Sequence, residues 1–218
     1  MMRLLAGLAL GCGLVGCIVF DRRSEPVTLH QFGAPTTAAS RTSPVVFIPR
    51  TVIPAGLRRA NIVLLDDMGR ARLDDNHRWL APLDRAFSEA VGRHLTHLTG
   101  LPVTAQAPAG QHGVLLLTLD KMEVAPAAEA EKPLFALPGG ARPSDAVMQV
   151  TARWEKSDGS PLSMRVHARR RLLKDSSADA FVRAQSANLA EICAEIAATL
   201  PALTHPSASG RAVPTLSM

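Results

Sequence analysis

Apolar positions recur along the chain with two different periods, and the changes of period mark its elements. Two short runs come first, Pro44-Val45-Val46-Phe47-Ile48-Pro49 between prolines and Asn61-Ile62-Val63-Leu64-Leu65 ahead of an Asp pair. Their length and β-branched content predict buried strands, with Pro54-Ala55-Gly56-Leu57 as a loop between them. At Leu83 the period changes. Leu83, Phe87, Val91, Leu95 and Leu98 stand three or four apart and predict one apolar side of a helix. Pro82 suits its first turn, and Gly100 followed by Pro102 stops it. Asp84 near the start and Arg93, His94 and His97 near the end have the signs that the helix dipole favours, which predicts solvated histidines there.

Alternation returns from Gly113 to Ala125, where Leu115, Leu117 and Leu119 share one face and Val114, Leu116 and Met122 the other. Two apolar faces predict a central strand. Ala146–Lys156 and Leu162–Leu173 then predict a hairpin, because Ser157-Asp158-Gly159-Ser160 carries the Asp-Gly pair that tight turns prefer. Met148, Val150, Ala152 and Trp154 line one face of the first arm, and Leu162, Met164, Val166 and Ala168 one face of the second. The opposite faces carry Arg153, Arg165, His167, Arg169 and Arg171, a basic stripe. Three readings of the stripe are open: contact with lipid phosphates or an acidic partner, a solvated face that discourages edge pairing, or a face covered by a helix with internal ion pairs. A second helix starts near Ser176-Ser177-Ala178-Asp179, carries Phe181, Leu189, Ile192, Ile196 and Leu200 on one side with Cys193 beside them, and is expected to stop at Pro201.

The fold class that follows is α/β of the α+β type: a single compact domain over residues 44–200, with a mostly antiparallel mixed sheet of short strands packed with two amphipathic helices. Residues 126–143, rich in Ala, Glu, Pro and Gly, are expected to be a flexible insertion, and 201–218 a disordered tail. Ser24 to Ser43 reads as a tether with one short strand near Val27 and Leu29.

Composition alters this picture little until the N-terminus is considered. With 218 residues, 47% hydrophobic and 20% charged, the chain is a globular protein of one-domain size. A net charge of +5 favours acidic surroundings such as phospholipid headgroups or nucleic acid. Arg3, the apolar run Leu4 to Val15 and small Gly16 ahead of Cys17 then form the three parts of an export signal, which removes nucleic acid from the partners. The run is too short for the roughly 20 residues of a spanning helix. Leu14-Val15-Gly16-Cys17 resembles the bacterial lipoprotein signal, which implies cleavage between Gly16 and Cys17 and acylation of Cys17. Residues 1–16 are then the signal peptide and 17–43 the lipidated N-terminus and tether. Cys12 fits the pattern less well. Ile18, where an Asp would signal retention at the inner membrane, leans toward an outer-membrane anchor facing the periplasm. Gly11-Cys12-Gly13-Leu14-Val15-Gly16 matches a dinucleotide fingerprint only literally, because no strand precedes it in a folded unit. Cys193 alone remains in the body, so no intrachain disulfide is expected.

Candidate chemistry is sparse. Asp66, Asp67, Asp74, Asp75 and His77 crowd what reads as a polar connection, in which Asp74, Asp75 and His77 are the starting point for an envelope hydrolase, although aspartates also serve turns. His94 and His97 share a helix face without a third metal ligand in view. No nucleophile, base and orienting group stand together, so no catalytic residue, metal or cofactor is expected.

The lipoprotein signal, the run Val45 to Ile48, Asn76-His77-Arg78-Trp79-Leu80-Ala81-Pro82-Leu83 leading into a helix, the Trp154 hairpin and the closing helix, in that order, resemble the ABC-type transport auxiliary lipoproteins, the PqiC-like group. The resemblance implies a non-enzymatic periplasmic subunit that maintains the outer membrane. It would work beside a mammalian-cell-entry-type (MCE) lipid-binding protein and ABC or permease components, leaving contact with anionic phospholipid and a homo-oligomer open. A structural lipoprotein of cell-wall assembly is the other reading.

Overall fold

The computed structural model describes residues 26–42, 44–65, 70–110, 112–127 and 143–204. Gly16 and Cys17, Asp66 and Asp67, and the expected tail from 205 onward lie outside the described residues. Eight strands and two α-helices follow in the order β1 (Thr28–His30), β2 (Val46–Phe47), β3 (Asn61–Leu65), β4 (Ala71–Trp79), α1 (Leu83–Thr99), β5 (Val103–Thr104), β6 (Gly113–Pro126), β7 (Ser144–Lys156), β8 (Pro161–Leu172) and α2 (Ala178–Thr204). They form a three-stranded sheet, β1-β4-β3, and a five-stranded sheet, β5-β2-β6-β7-β8, in one α+β fold. No helix among the described residues is long and apolar enough to cross a membrane.

The long strand β6 is central, as its two apolar faces predict, with β2 parallel on one side and β7 antiparallel on the other. Its side chains do not keep one alternation. Leu119 pairs with Val150 and Lys121 with Gln149, so Asp120 is an extra residue, and beyond it the even positions Met122 and Val124 join the buried face of Leu115, Leu117 and Leu119. The predicted place of Met122 on the opposite face is corrected by this bulge.

Both helices pack on the inner face of the larger sheet, where Phe87, Leu95, Leu115, Met148, Phe181 and Ile192 are almost inaccessible to solvent. Each large apolar side chain buried this way contributes about 1.5–3 kcal/mol relative to exposure. In α1 the buried stripe follows the spacing up to Leu95, but Leu98 is exposed and His94 is buried. The N-terminal segment passes over that side of the helix, and Gly33 O accepts a bond from His94 Nε2 at 3.1 Å. Gly100 ends α1 in the left-handed region at φ 72°, its N–H returning to Thr96 O at 2.8 Å. α2 is capped by Ser177, whose Oγ accepts from Ala180 N at 3.1 Å, and it continues past Pro201 to Thr204. Pro201 removes one backbone donor without ending the helix.

The expected tether is also corrected over its described part. β1 pairs in parallel with β4, and Phe32 lies face to face with Trp79 at 4.9 Å and edge-on to Phe87 at 5.7 Å. Further on, Ser40 N and Arg41 N both donate to Gly100 O, at 3.1 and 2.9 Å. A buried aromatic ring and satisfied backbone groups hold a segment whose polar composition reads as linker. The expected insertion shrinks as well: β6 and β7 pair as far as Pro126 and Ser144, Ala127 N donates to Pro143 O at 3.0 Å, and 128–142 lie outside the described residues.

Candidate functional site

The basic stripe is not one face. The hairpin turn sets Glu155 opposite Pro161, a register that, continued unchanged, would place Val150 opposite Val166 and turn the apolar residues of β8 toward the helices. Trp154 instead pairs with Ser163, so Leu162 is a bulge residue and every later pair shifts by one: Ala152 with Arg165, Val150 with His167, Met148 with Arg169, Ala146 with Arg171. A one-residue slip exchanges the faces of a strand. Arg165, His167, Arg169 and Arg171 therefore lie on the helix side, while Arg153, opposite Met164, lies on the outer side and pairs with Glu155. Placing Arg153 with the other four is corrected by this register.

On the inner side the cations meet α2. His167 is buried and its Nδ1 lies 2.7 Å from Glu195 Oε2. Arg169 reaches Glu191 through Nε at 3.1 Å and also contacts Glu195, and Arg171 pairs with Glu191. Glu195 favours the imidazolium, but burial first, and then Arg165 and Arg169, hold His167 below the ordinary histidine value. Because a carboxylate only accepts, the ring donates its Nδ1–H to Glu195. Arg165 remains exposed. The glutamates sit one turn apart on α2, Glu195 just ahead of buried Ile196, a signal legible only once β8 is known to run beneath them. The bulge also leaves Met164, Val166 and Leu172 exposed on the outer face of an edge strand.

Asp74, Asp75 and His77 are not in a loop but in β4. Ile62 pairs with Asp74 and Asn61 with Arg78, so the residues between Asp74 and Arg78 bulge out of the ladder. The two carboxylates shape that bulge: Asp74 Oδ1 accepts from Asn76 N at 3.1 Å, and Asp75 Oδ1 accepts from Asn61 Nδ2 at 3.3 Å. His77 has a partner that sequence spacing does not suggest, His30 of β1, with His30 Nε2 and His77 Nδ1 2.7 Å apart. Asp179, at the start of α2, comes within 3.7 Å of His30 Nδ1. Among the described residues, His30, His77 and Asp179 are the group of metal-ligating side chains whose ligand atoms converge, all within 4.8 Å of one another. Burial and then the neighbouring His77 hold His30 below the ordinary histidine value, and Asp179 and Asp74 pull the other way.

Two open grooves flank these elements. One, of about 660 Å³, runs past the start of α1 and is lined by Ile53, Arg58, Arg59, Trp79, Thr51 and Asp84. Its hydroxyl and carboxylate are engaged: Thr51 Oγ1 bonds Ser88 Oγ at 2.8 Å, and Asp84 Oδ1 accepts from Arg85 N at 2.9 Å. The other, of about 490 Å³, lies between the sheets, where Leu57, Val63, Leu73 and Met122 are joined by Asp120 and Lys121. Neither brings a nucleophile to a base. His97, the second predicted helix histidine, bonds Thr37 Oγ1 through Nδ1 at 3.0 Å, away from His94 Nε2 and its bond to Gly33. Cys193 is fully buried, and burial pushes its thiol up to about 12, as expected of a small core side chain.

The model of one family, described as the ABC-type transport auxiliary lipoprotein component, matches residues 28–197. No curated protein matches the chain. Among solved structures, that of an uncharacterized protein is similar with a TM-score of 0.61 and 15% identity, covering 81% of this chain and 99% of its own. The crystal structure of a protein from Xanthomonas campestris is similar with a TM-score of 0.58 and 14% identity, covering 78% and 92%. At these identities the likeness is one of fold. The family match starts at the first residue of β1, the segment read as tether in the sequence, and ends within α2.

Proposed function

This chain belongs to the family of ABC-type transport auxiliary lipoprotein components, and we propose that it is a non-enzymatic, lipid-anchored subunit of an MCE-type lipid transport system. In this reading acylated Cys17 holds it on the outer membrane, where it faces the periplasm and serves to maintain that membrane. The observation that carries the reading is the family match across nearly the whole folded body, joined to Leu14-Val15-Gly16-Cys17 at the head of the chain. The site geometry supports it. Asp74 and Asp75 bond within a strand bulge, which supports a structural role for these two suspected residues, and the hydroxyl and carboxylate of the larger groove bond within the fold.

Docking, in this proposal, falls on the exposed part of the basic set. Arg153 on the outer face and Arg165 on the inner face border the apolar residues Met164 and Val166 of the edge strand, where an MCE protein, a permease component or anionic phospholipid would meet them. His167, Arg169 and Arg171 are occupied by α2.

The test is capture of the lipidated protein from native membranes together with labelling by a fatty acid. The expected result is recovery of an MCE-domain protein and an ABC or permease component, with label lost in Cys17→Ser and kept in Cys12→Ser. Label persisting in Cys17→Ser sinks the anchor. Capture of cell-wall synthesis proteins in place of transport components sinks the transport role.

A further inference from the structure

The histidine pair formed by buried His30 of β1 and half-buried His77 of β4 lies outside the transport reading. His30 comes from β1, His77 from the neighbouring strand β4 with which β1 pairs, and Asp179 from the first turn of α2. His30 is 8% exposed, and its Nε2 faces His77 Nδ1 at 2.7 Å with the ring planes 28° from parallel. Asp179 is 56% exposed and so is free to adjust its side chain at the mouth of the site. Two imidazoles, one buried and one half-buried, with an exposed carboxylate at the mouth form the donor set that divalent metals of the zinc class prefer, and offer too few oxygens for calcium or magnesium.

We propose that His30, His77 and Asp179 form a divalent metal site of the zinc class that clips β1 to β4 and to the start of α2. Zinc–nitrogen bonds of about 2.0–2.1 Å at a tetrahedral angle separate two ligating nitrogens by roughly 3.3 Å, so the rings part by about 0.6 Å when the ion enters. The ion takes the lone pairs of His30 Nε2 and His77 Nδ1. The proton that one of them shares with the other moves to the far nitrogen of its own ring, so a neutral pair binds without net proton release. One Asp179 oxygen serves as the third ligand, and water completes the shell. The clip ties β1, the first of the described strands, to β4 and α2.

The experiment uses the full lipidated protein in detergent, stripped with a chelator and then titrated with Zn²⁺ and with Co²⁺. Zn²⁺ at micromolar concentration should raise the melting temperature, and Co²⁺ should give visible absorption typical of a four-coordinate nitrogen and oxygen site. Both responses should weaken at least tenfold in His77→Asn and persist in His97→Asn, which removes a histidine elsewhere on the domain. Should His77→Asn fail to fold by circular dichroism, Asp179→Asn at its exposed position replaces it, with the same tenfold loss expected. Absence of any response in the folded wild-type protein overturns the proposal. So does a response of equal strength in the folded His77→Asn or Asp179→Asn variant, which would place the ion on other histidines.

Discussion

Replacing Arg169 by Gln separates a face that holds the domain together from one that only meets partners. Arg169 is 32% exposed and touches two glutamates of α2, Glu191 at 48% and Glu195 at 38% exposure. A shielded charge-assisted bond is worth about 1.5–3 kcal/mol, and an exposed ion pair about 0.2–1 kcal/mol. Two contacts at intermediate exposure therefore amount to roughly 1–2 kcal/mol, because solvent screens both carboxylates. Gln keeps a donor and removes the charge, so Arg169→Gln should lower unfolding stability by about 1–2 kcal/mol in urea titrations. Arg165→Gln, at an exposed position of the same strand, should stay within about 0.5 kcal/mol. A double-mutant cycle with Glu195→Gln should return a coupling of about 0.5–1.5 kcal/mol, since the two side chains touch. An Arg169→Gln protein that unfolds at the wild-type urea concentration, with zero coupling to Glu195, would refute internal pairing and return this arginine to the docking surface.

Gly100→Ala should destabilise the domain by more than about 1 kcal/mol, because a Cβ there collides with Ser40 Oγ and the backbone sits at φ 72°; thermal melts check it, and an unchanged midpoint contradicts the tight closure of residues 40–41 on α1. Cys193 should resist maleimide at pH 8 in the native protein and react in denaturant, as read by peptide mass spectrometry; native labelling would contradict its burial. His94 is held below the ordinary histidine value by burial, so the unfolded chain binds the proton more readily. The stability from burying the neutral ring is full above about pH 6.5 and is lost as pH falls toward the lower folded value. Urea midpoints should therefore drop between pH 7.5 and 5.5 in the wild type, and by less in His94→Gln; parallel slopes would refute the assignment.

The sequence by itself determined the elements whose signals are local. The apolar spacing from Leu83 to Leu95, the stop at Gly100, the two-faced apolar strand at β6, the Asp-Gly hairpin and the burial of Cys193 all follow from neighbours within a few residues, where helix and strand periods act directly. The same is true of the order of elements that carries the family resemblance, which the match over residues 28–197 bears out. What only the tertiary structure decided are features set by register and by distant contact. The bulges at Asp120 and Leu162 move Met122 to the buried face and turn Arg169 and Arg171 of β8 toward α2, and alternation cannot foresee them because a strand of period two reads equally well from either face. Phe32, His30 and His94 are fixed by partners across the fold, so the short strand expected near Val27 and Leu29 becomes β1 held with its flanks against the domain instead of part of a tether, and His77 finds its neighbour 47 residues away. Chain entropy hides such contacts from a local pattern: a long-range pair stabilises only after the intervening elements have folded and closed the loop that joins it.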